Sequence, residues 1–214
     1  MGIIRIGILG AGTMGGGIAQ VAAQAGFQVV LLDLSEMLIR EGVEKIEKNL
    51  TRSVEKGKIS SQEKENILQR IKPTIHIEDL KDSELMIEAV FEDLKLKVDL
   101  YKRLDTLCPT ETIFASNTST LSITQMAAEV SRSKRFLGLH FFNPVPIMRL
   151  VEVIPGLQTS RETADIGIDF VSKDKEDSYR GERLSRFFGQ SNIFALCRGG
   201  HAGCSGGGCA PYGN

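Results

Sequence analysis

Short unbroken apolar runs alternate along the chain with longer stretches of helical spacing, the pattern of parallel strands joined by helices. Ile6, Ile8 and Leu9 make the first run, Val29 to Leu32 the second, Leu85 to Val90 the third and Thr112 to Ala115 the fourth. Phe136 to Leu139 and Leu150 to Ile154 add two more. Between the second and third runs the chain is charged. It predicts two helices, Met37 to Glu55 and Gln62 to Arg70, broken at Gly57 with Ser61 as a cap. Ile75-His76-Ile77 reads as an edge strand, with His76 in a structural role. Leu94 to Leu107 predicts a helix buried along Leu96, Leu100, Leu104 and Leu107, and another helix begins near Ile123.

At the end of the first run, Gly10, Gly12 and Gly15 form G-x-G-x-x-G where strand must turn into helix. Gly10 permits the tight turn, Gly12 lets a pyrophosphate approach the backbone, and Gly15 lets the helix pack close to the sheet. The helix start, with Thr13 and Met14 beside the glycines, presents free N–H groups to a phosphate. Asp33 ends the second run, 23 residues after Gly10. A carboxylate there accepts from both ribose hydroxyls of an adenosine and repels a 2′-phosphate, which points to NAD rather than NADP. The fold class is α/β, a Rossmann-type doubly wound sheet.

Composition narrows the picture further. Hydrophobic content of 42% and charged content of 25% are those of a globular protein. A net charge of −1 gives no electrostatic footprint for nucleic acid or an anionic membrane, and no apolar run is long enough to span a bilayer. The chain enters a strand almost at once, so no signal peptide is expected. Cys108 stands alone in the body, which suits a reducing cytoplasm, while Cys197, Cys204 and Cys209 crowd the end.

Ligands of open α/β sheets sit at the carboxyl ends of the strands. Glu92 lies just past one such end, and the polar run Ser116-Asn117-Thr118-Ser119-Thr120 just past the next. Thr120 or Ser122 can cap the following helix and leave Asn117 and Ser119 free for cofactor and substrate. Lys45, Lys48, Lys56 and Lys58 read first as a solvated helical face, with an anionic substrate handle as the alternative. His140 follows one predicted strand and Glu152 lies in the next. Neighbouring strands can bring them into contact, the carboxylate orienting the imidazole as the proton acceptor for an alcohol that loses hydrogen to NAD.

The segments GAGTMGGGIA, EAVFEDLKLK, FASNTSTLSIT and GLHFFNPVPIMRLVEVI closely resemble the L-3-hydroxyacyl-CoA dehydrogenases, in particular bacterial 3-hydroxybutyryl-CoA dehydrogenases. The likeness runs from residue 3 to about 172. It implies that His140 takes the proton of the C3 hydroxyl, that Glu152 orients it, that Ser119 bonds the substrate oxygen and that Asn143 shapes the pocket. It also implies that Asp33, Glu92, Lys97 and Asn117 hold NAD, and that the lysine-bearing helices shelter the CoA adenosine. The substrate would be a 3-hydroxyacyl-CoA and the product a 3-oxoacyl-CoA. Members of the family continue into a helical domain that completes the acyl pocket and forms the dimer interface.

From residue 173 the likeness stops. This final stretch holds nine of the chain's 22 glycines, and Leu184, Phe187, Phe188, Ile193 and Phe194 have no regular period. A shift of reading frame accounts for it. Codons chosen for Asp177 to Asn192, read one base later, give TPIVAKDSPGFLVNR, which carries the family's P-G-F-L-V-N-R signature; continuing gives IFLPYVAEAMRAVQEGVAPPTEI. The expected organisation is therefore an NAD-binding domain over 1–172 and an aberrant, frameshifted and disordered tail over 173–214, without the helical domain. Catalysis should be impaired and NAD binding kept. Cys197, His201, Cys204 and Cys209 lack a standard zinc spacing, and the frame shift explains the cysteines without metal. The other functional readings are an NAD-binding protein without catalysis and a related dehydrogenase of a non-CoA hydroxy acid.

Overall fold

Ile6, Ile8 and Leu9 become a strand buried on both faces, β1 (Arg5–Leu9), because helices cover the sheet on each side. The computed structural model describes residues 3–148, 150–172 and 194–197. After β1 come α1 (Thr13–Gln24), β2 (Gln28–Leu32), α2 (Glu36–Glu55), α3 (Ser61–Gln69) and β3 (Ile71–Thr74). Then follow β4 (Leu85–Glu88), α4 (Leu94–Leu107), β5 (Ile113–Ser116), α5 (Ile123–Ala128), β6 (Phe136–Phe141), β7 (Leu150–Pro155), α6 (Arg161–Ser172) and β8 (Phe194–Cys197). The sheet order is β3-β2-β1-β4-β5-β6-β7-β8. Pairing is parallel from β3 through β6, and antiparallel between β6 and β7 and between β7 and β8.

Two apolar clusters cover the two faces. Ile18 and Ala22 of α1, Ile46 and Leu50 of α2 and Val171 of α6 pack on Ile6, Ile8 and Leu31. Tyr101 and Leu104 of α4 and Met126 of α5 pack on Leu9, Met86, Phe114 and Phe136. Arg132 closes the second layer: it pairs with Asp105 at 2.6 Å, donates to backbone carbonyls at the end of α4, and lies 4.5 Å above the Phe114 ring. Among the described residues no helix is long and apolar enough to cross a membrane.

The structure moves several expected boundaries. Ser60, not Ser61, caps α3, its hydroxyl accepting from the Glu63 amide at 3.1 Å. The edge strand is Ile71–Thr74 rather than residues 75–77, where the chain already turns into a single 3-10 turn, Ile77–Leu80. Pro73 is tolerated because β3 pairs only with β2 and loses no ladder bond on its open side. His140 lies within β6 rather than after it. On α4 the buried residues are Lys97, Tyr101 and Leu104, whereas Leu96 is 44% exposed. The stretch expected to be irregular contributes one strand, β8. Apart from that strand, the tail with its apolar residues, and the candidate zinc ligands His201, Cys204 and Cys209, lie outside the described residues.

Candidate active site

The Gly10–Gly15 turn joins β1 to α1 at the carboxyl edge of the sheet. Gly10 has φ +98°, and a Cβ there would lie 2.7 Å from the Ala89 carbonyl. At Gly15 a Cβ would sit 1.8 Å from the Gly10 carbonyl oxygen, so no other residue fits. Gly12 differs: a Cβ on it would meet nothing within 4 Å. That open cradle faces the start of α1, where Gly12 supplies no side-chain cap and the amides of Thr13, Met14 and Gly15 have no intrahelical acceptor. Asp33, at the end of β2, accepts from the Ala11 amide at 2.6 Å and from the Leu34 amide at 2.7 Å. An open cradle, an uncapped helix start and a carboxylate one strand away fit the pyrophosphate and adenosine ribose of NAD.

On the other side of the turn, β4 ends in Glu88, which is fully buried. Its Oε1 accepts from Lys97 Nζ at 2.6 Å and from the Val90 amide at 2.8 Å, and its Oε2 accepts from the Ser116 hydroxyl at 2.7 Å. Lys97 is only 1% exposed and reaches Glu92 Oε2 at 3.2 Å. Lys97 is thus held between the buried Glu88 and the accessible Glu92. Glu92 is the accessible member, its side chain 39% exposed, and it accepts from the Thr118 and Thr120 hydroxyls. Burial would raise the Glu92 carboxyl, but hydrogen bonds from Thr118 and Lys97 and the Lys97 charge outweigh it and lower it to about 2.

A depressed carboxyl stabilises the fold fully above its unfolded value near 4.5, and that contribution is lost as pH falls toward 2. Thr118→Val removes one donor to Glu92 and also the acceptor of the Thr120 and Leu121 amides, so its urea midpoint should lie below that of the parent chain at pH 6 and the gap should narrow, without closing, as pH falls toward 2. A constant difference across that range would disprove the assignment.

Farther along the same edge, Asn117 uses its Oδ1 to accept from the Phe141 amide at 2.8 Å, tying β5 to β6 and leaving its amide nitrogen. Ser119 is exposed and makes no hydrogen bond to the described residues, and Asn143 is exposed where β6 ends. His140 and Glu152 are direct cross-strand partners in the antiparallel β6–β7 pair. Nδ1 of His140 lies 2.8 Å from Glu152 Oε2, with both side chains partly buried and the Phe142 ring 4.6 Å from the imidazole. A carboxylate on Nδ1 fixes the tautomer that leaves Nε2 as an acceptor. Lys45, Lys48, Lys56 and Lys58 are exposed and have no ion pair among the described residues. Sequence reasoning missed Glu88, and it named Ser116 and Thr118 in the polar run without giving either a role. The available signal was a carboxylate ending an otherwise apolar strand, which requires a cation close by.

Asp33, the glycine turn, Glu92 and Ser119 thus follow β2, β1, β4 and β5 in spatial order along one edge, and His140 lies near the end of β6 beside them. A family model described as "3-hydroxyacyl-CoA dehydrogenase, NAD binding domain" matches residues 5–177. A probable 3-hydroxybutyryl-CoA dehydrogenase of Bacillus subtilis is 46% identical over 164 residues, covering 77% of this chain and 57% of the relative. A 3-hydroxybutyryl-CoA dehydrogenase of Clostridioides difficile is 46% identical over 162 residues, covering 76% and 58%. The crystal structure of an (S)-3-hydroxybutyryl-CoA dehydrogenase from Ralstonia eutropha superposes with a TM-score of 0.76 at 46% identity, over 78% of this chain and 59% of that one. The chain spans about three fifths of the length of the curated relatives it matches.

Proposed function

The chain belongs to the 3-hydroxyacyl-CoA dehydrogenase family through its NAD-binding domain, and from that premise we propose that it contributes to the oxidation of a 3-hydroxyacyl-CoA by NAD. The observation that carries the proposal is the 2.8 Å contact of His140 with Glu152 beside the polar run, on the cofactor edge. NAD held along this edge would supply the acceptor for the hydride that leaves C3 of the substrate. His140 takes the hydroxyl proton at Nε2 while Glu152 holds the ring. Ser119 donates to the substrate oxygen, and Asn143 borders the same space. Asp33 receives the adenosine ribose; Gly10, Gly12 and Gly15 with the amides of Thr13 and Met14 receive the pyrophosphate. Glu92 and Asn117 serve the other half, and Lys97 serves it by holding Glu92. The substrate is of the 3-hydroxybutyryl-CoA class, the setting is cytoplasmic, and dimerisation belongs to longer family members.

The 214-residue chain carries the cofactor side of this site. We propose that it binds NAD and turns over slowly, and that a one-base change near codons 172–174 recovers the remainder of the acyl pocket. Sequencing the coding DNA across that point comes first. Calorimetric titration with NAD, and NADH formation from (S)-3-hydroxybutyryl-CoA or free 3-hydroxybutyrate, then test both chains. NAD should bind to both, and the frame-restored chain should oxidise the thioester about a hundredfold faster. Equal rates in the two chains would overturn the impaired-chain reading, and preference for the free acid would overturn the substrate class.

A further inference from the structure

Lys97 sits between two carboxylates, and its three protons are engaged: Glu88 Oε1 lies at 2.6 Å, Glu92 Oε2 at 3.2 Å and the Val90 carbonyl at 3.4 Å. One ammonium and two carboxylates leave a net charge of −1. The closer pair is the fully buried one, Lys97 with Glu88. The uncompensated charge therefore resides on Glu92, the member that reaches solvent.

Glu92 lies past β4, on the side of the glycine turn opposite Asp33 and the same side as His140. A dinucleotide laid along this edge has its adenosine over β2, so its nicotinamide lies on the Glu92 side. The oxidised nicotinamide ring carries a positive charge that it loses on accepting hydride. We propose that Glu88 is a positioning residue that neutralises Lys97, leaving Glu92 as a negative lip that favours NAD over NADH. This rests on the reading of the site as an NAD site.

Glu88→Gln is a clean test, because the amide can keep all three hydrogen bonds. Its oxygen accepts from Lys97 and Val90, and its nitrogen donates to Ser116 Oγ. Only the charge changes, and Lys97 then neutralises Glu92. Dissociation constants for NAD, NADH and ADP are measured at low salt by calorimetry and NADH fluorescence. In E88Q the ratio of the NAD constant to the NADH constant should rise about fivefold, with ADP binding unchanged. The double variant E88Q/K97M carries −1 again, and its ratio should return to that of the parent chain. A purely structural role would weaken both dinucleotides equally and would not be reversed by the second substitution; that result, or an unchanged ratio, overturns the proposal. If the parent chain binds ADP but neither dinucleotide, the functional reading falls and this inference with it.

Discussion

Replacing His140 by glutamine is expected to lower oxidation of (S)-3-hydroxybutyryl-CoA about a thousandfold and to leave NAD affinity within about a factor of two. Glutamine still reaches Glu152 with an N–H, so the β6–β7 pair and its register survive. The loss falls on the single property an amide lacks, a nitrogen that accepts a proton at neutral pH. Glu152→Gln should fall between the two: the imidazole remains, but the carboxylate that selects its tautomer at 2.8 Å is gone. Single-turnover NADH formation separates chemistry from release. It is read on the frame-restored chain where the 214-residue chain is too slow. A loss of less than tenfold in H140Q would remove His140 from the role of base.

Lys97→Met should destabilise the domain by about 3–5 kcal/mol, a larger effect than any surface substitution produces. Glu88 would be left at the end of β4 with 0% exposure and no cation. Methionine fills the space of the lysine stem, so the lost stability measures the orphaned charge rather than a cavity. Adding E88Q removes that charge and should recover about half of the loss. Urea unfolding at pH 7 reads all three proteins. A single variant within about 1 kcal/mol of the parent would mean that water reaches Glu88 and that the pair is not buried in solution.

Where a segment's local chemistry agreed with its tertiary use, the sequence could be read residue by residue. The helix over Leu94–Leu107 was legible to both ends because leucines recur at helical spacing along it, and Asp93 caps it in the structure. The His140–Glu152 contact was legible because two short strands joined by one loop leave few other registers. Lys97 was not. Four leucines offered a plausible buried stripe, and nothing local marks a lysine as interior; its partner Glu88 belongs to the preceding strand. The Ile71–Thr74 edge strand was hidden for a related reason. Lys72 and Pro73 both argue against a strand, and both are acceptable at a sheet edge. Local patterning reports what a segment buries on average, while these two cases turn on a single neighbour.

The bond from the Ala11 amide to Asp33 Oδ2 has a consequence for anyone redesigning this site. Exchange of an acid for a small or basic residue is the obvious route to a cofactor carrying an extra phosphate. Here the acid also buttresses the glycine turn from below, so the exchange removes a tether from the cradle at the same stroke. Retargeting is therefore a problem in two variables. A successful variant must supply Ala11 with a new acceptor as well as supplying the phosphate with a cation. Libraries that vary position 33 alone should return proteins with weakened binding of both cofactors rather than a switch between them.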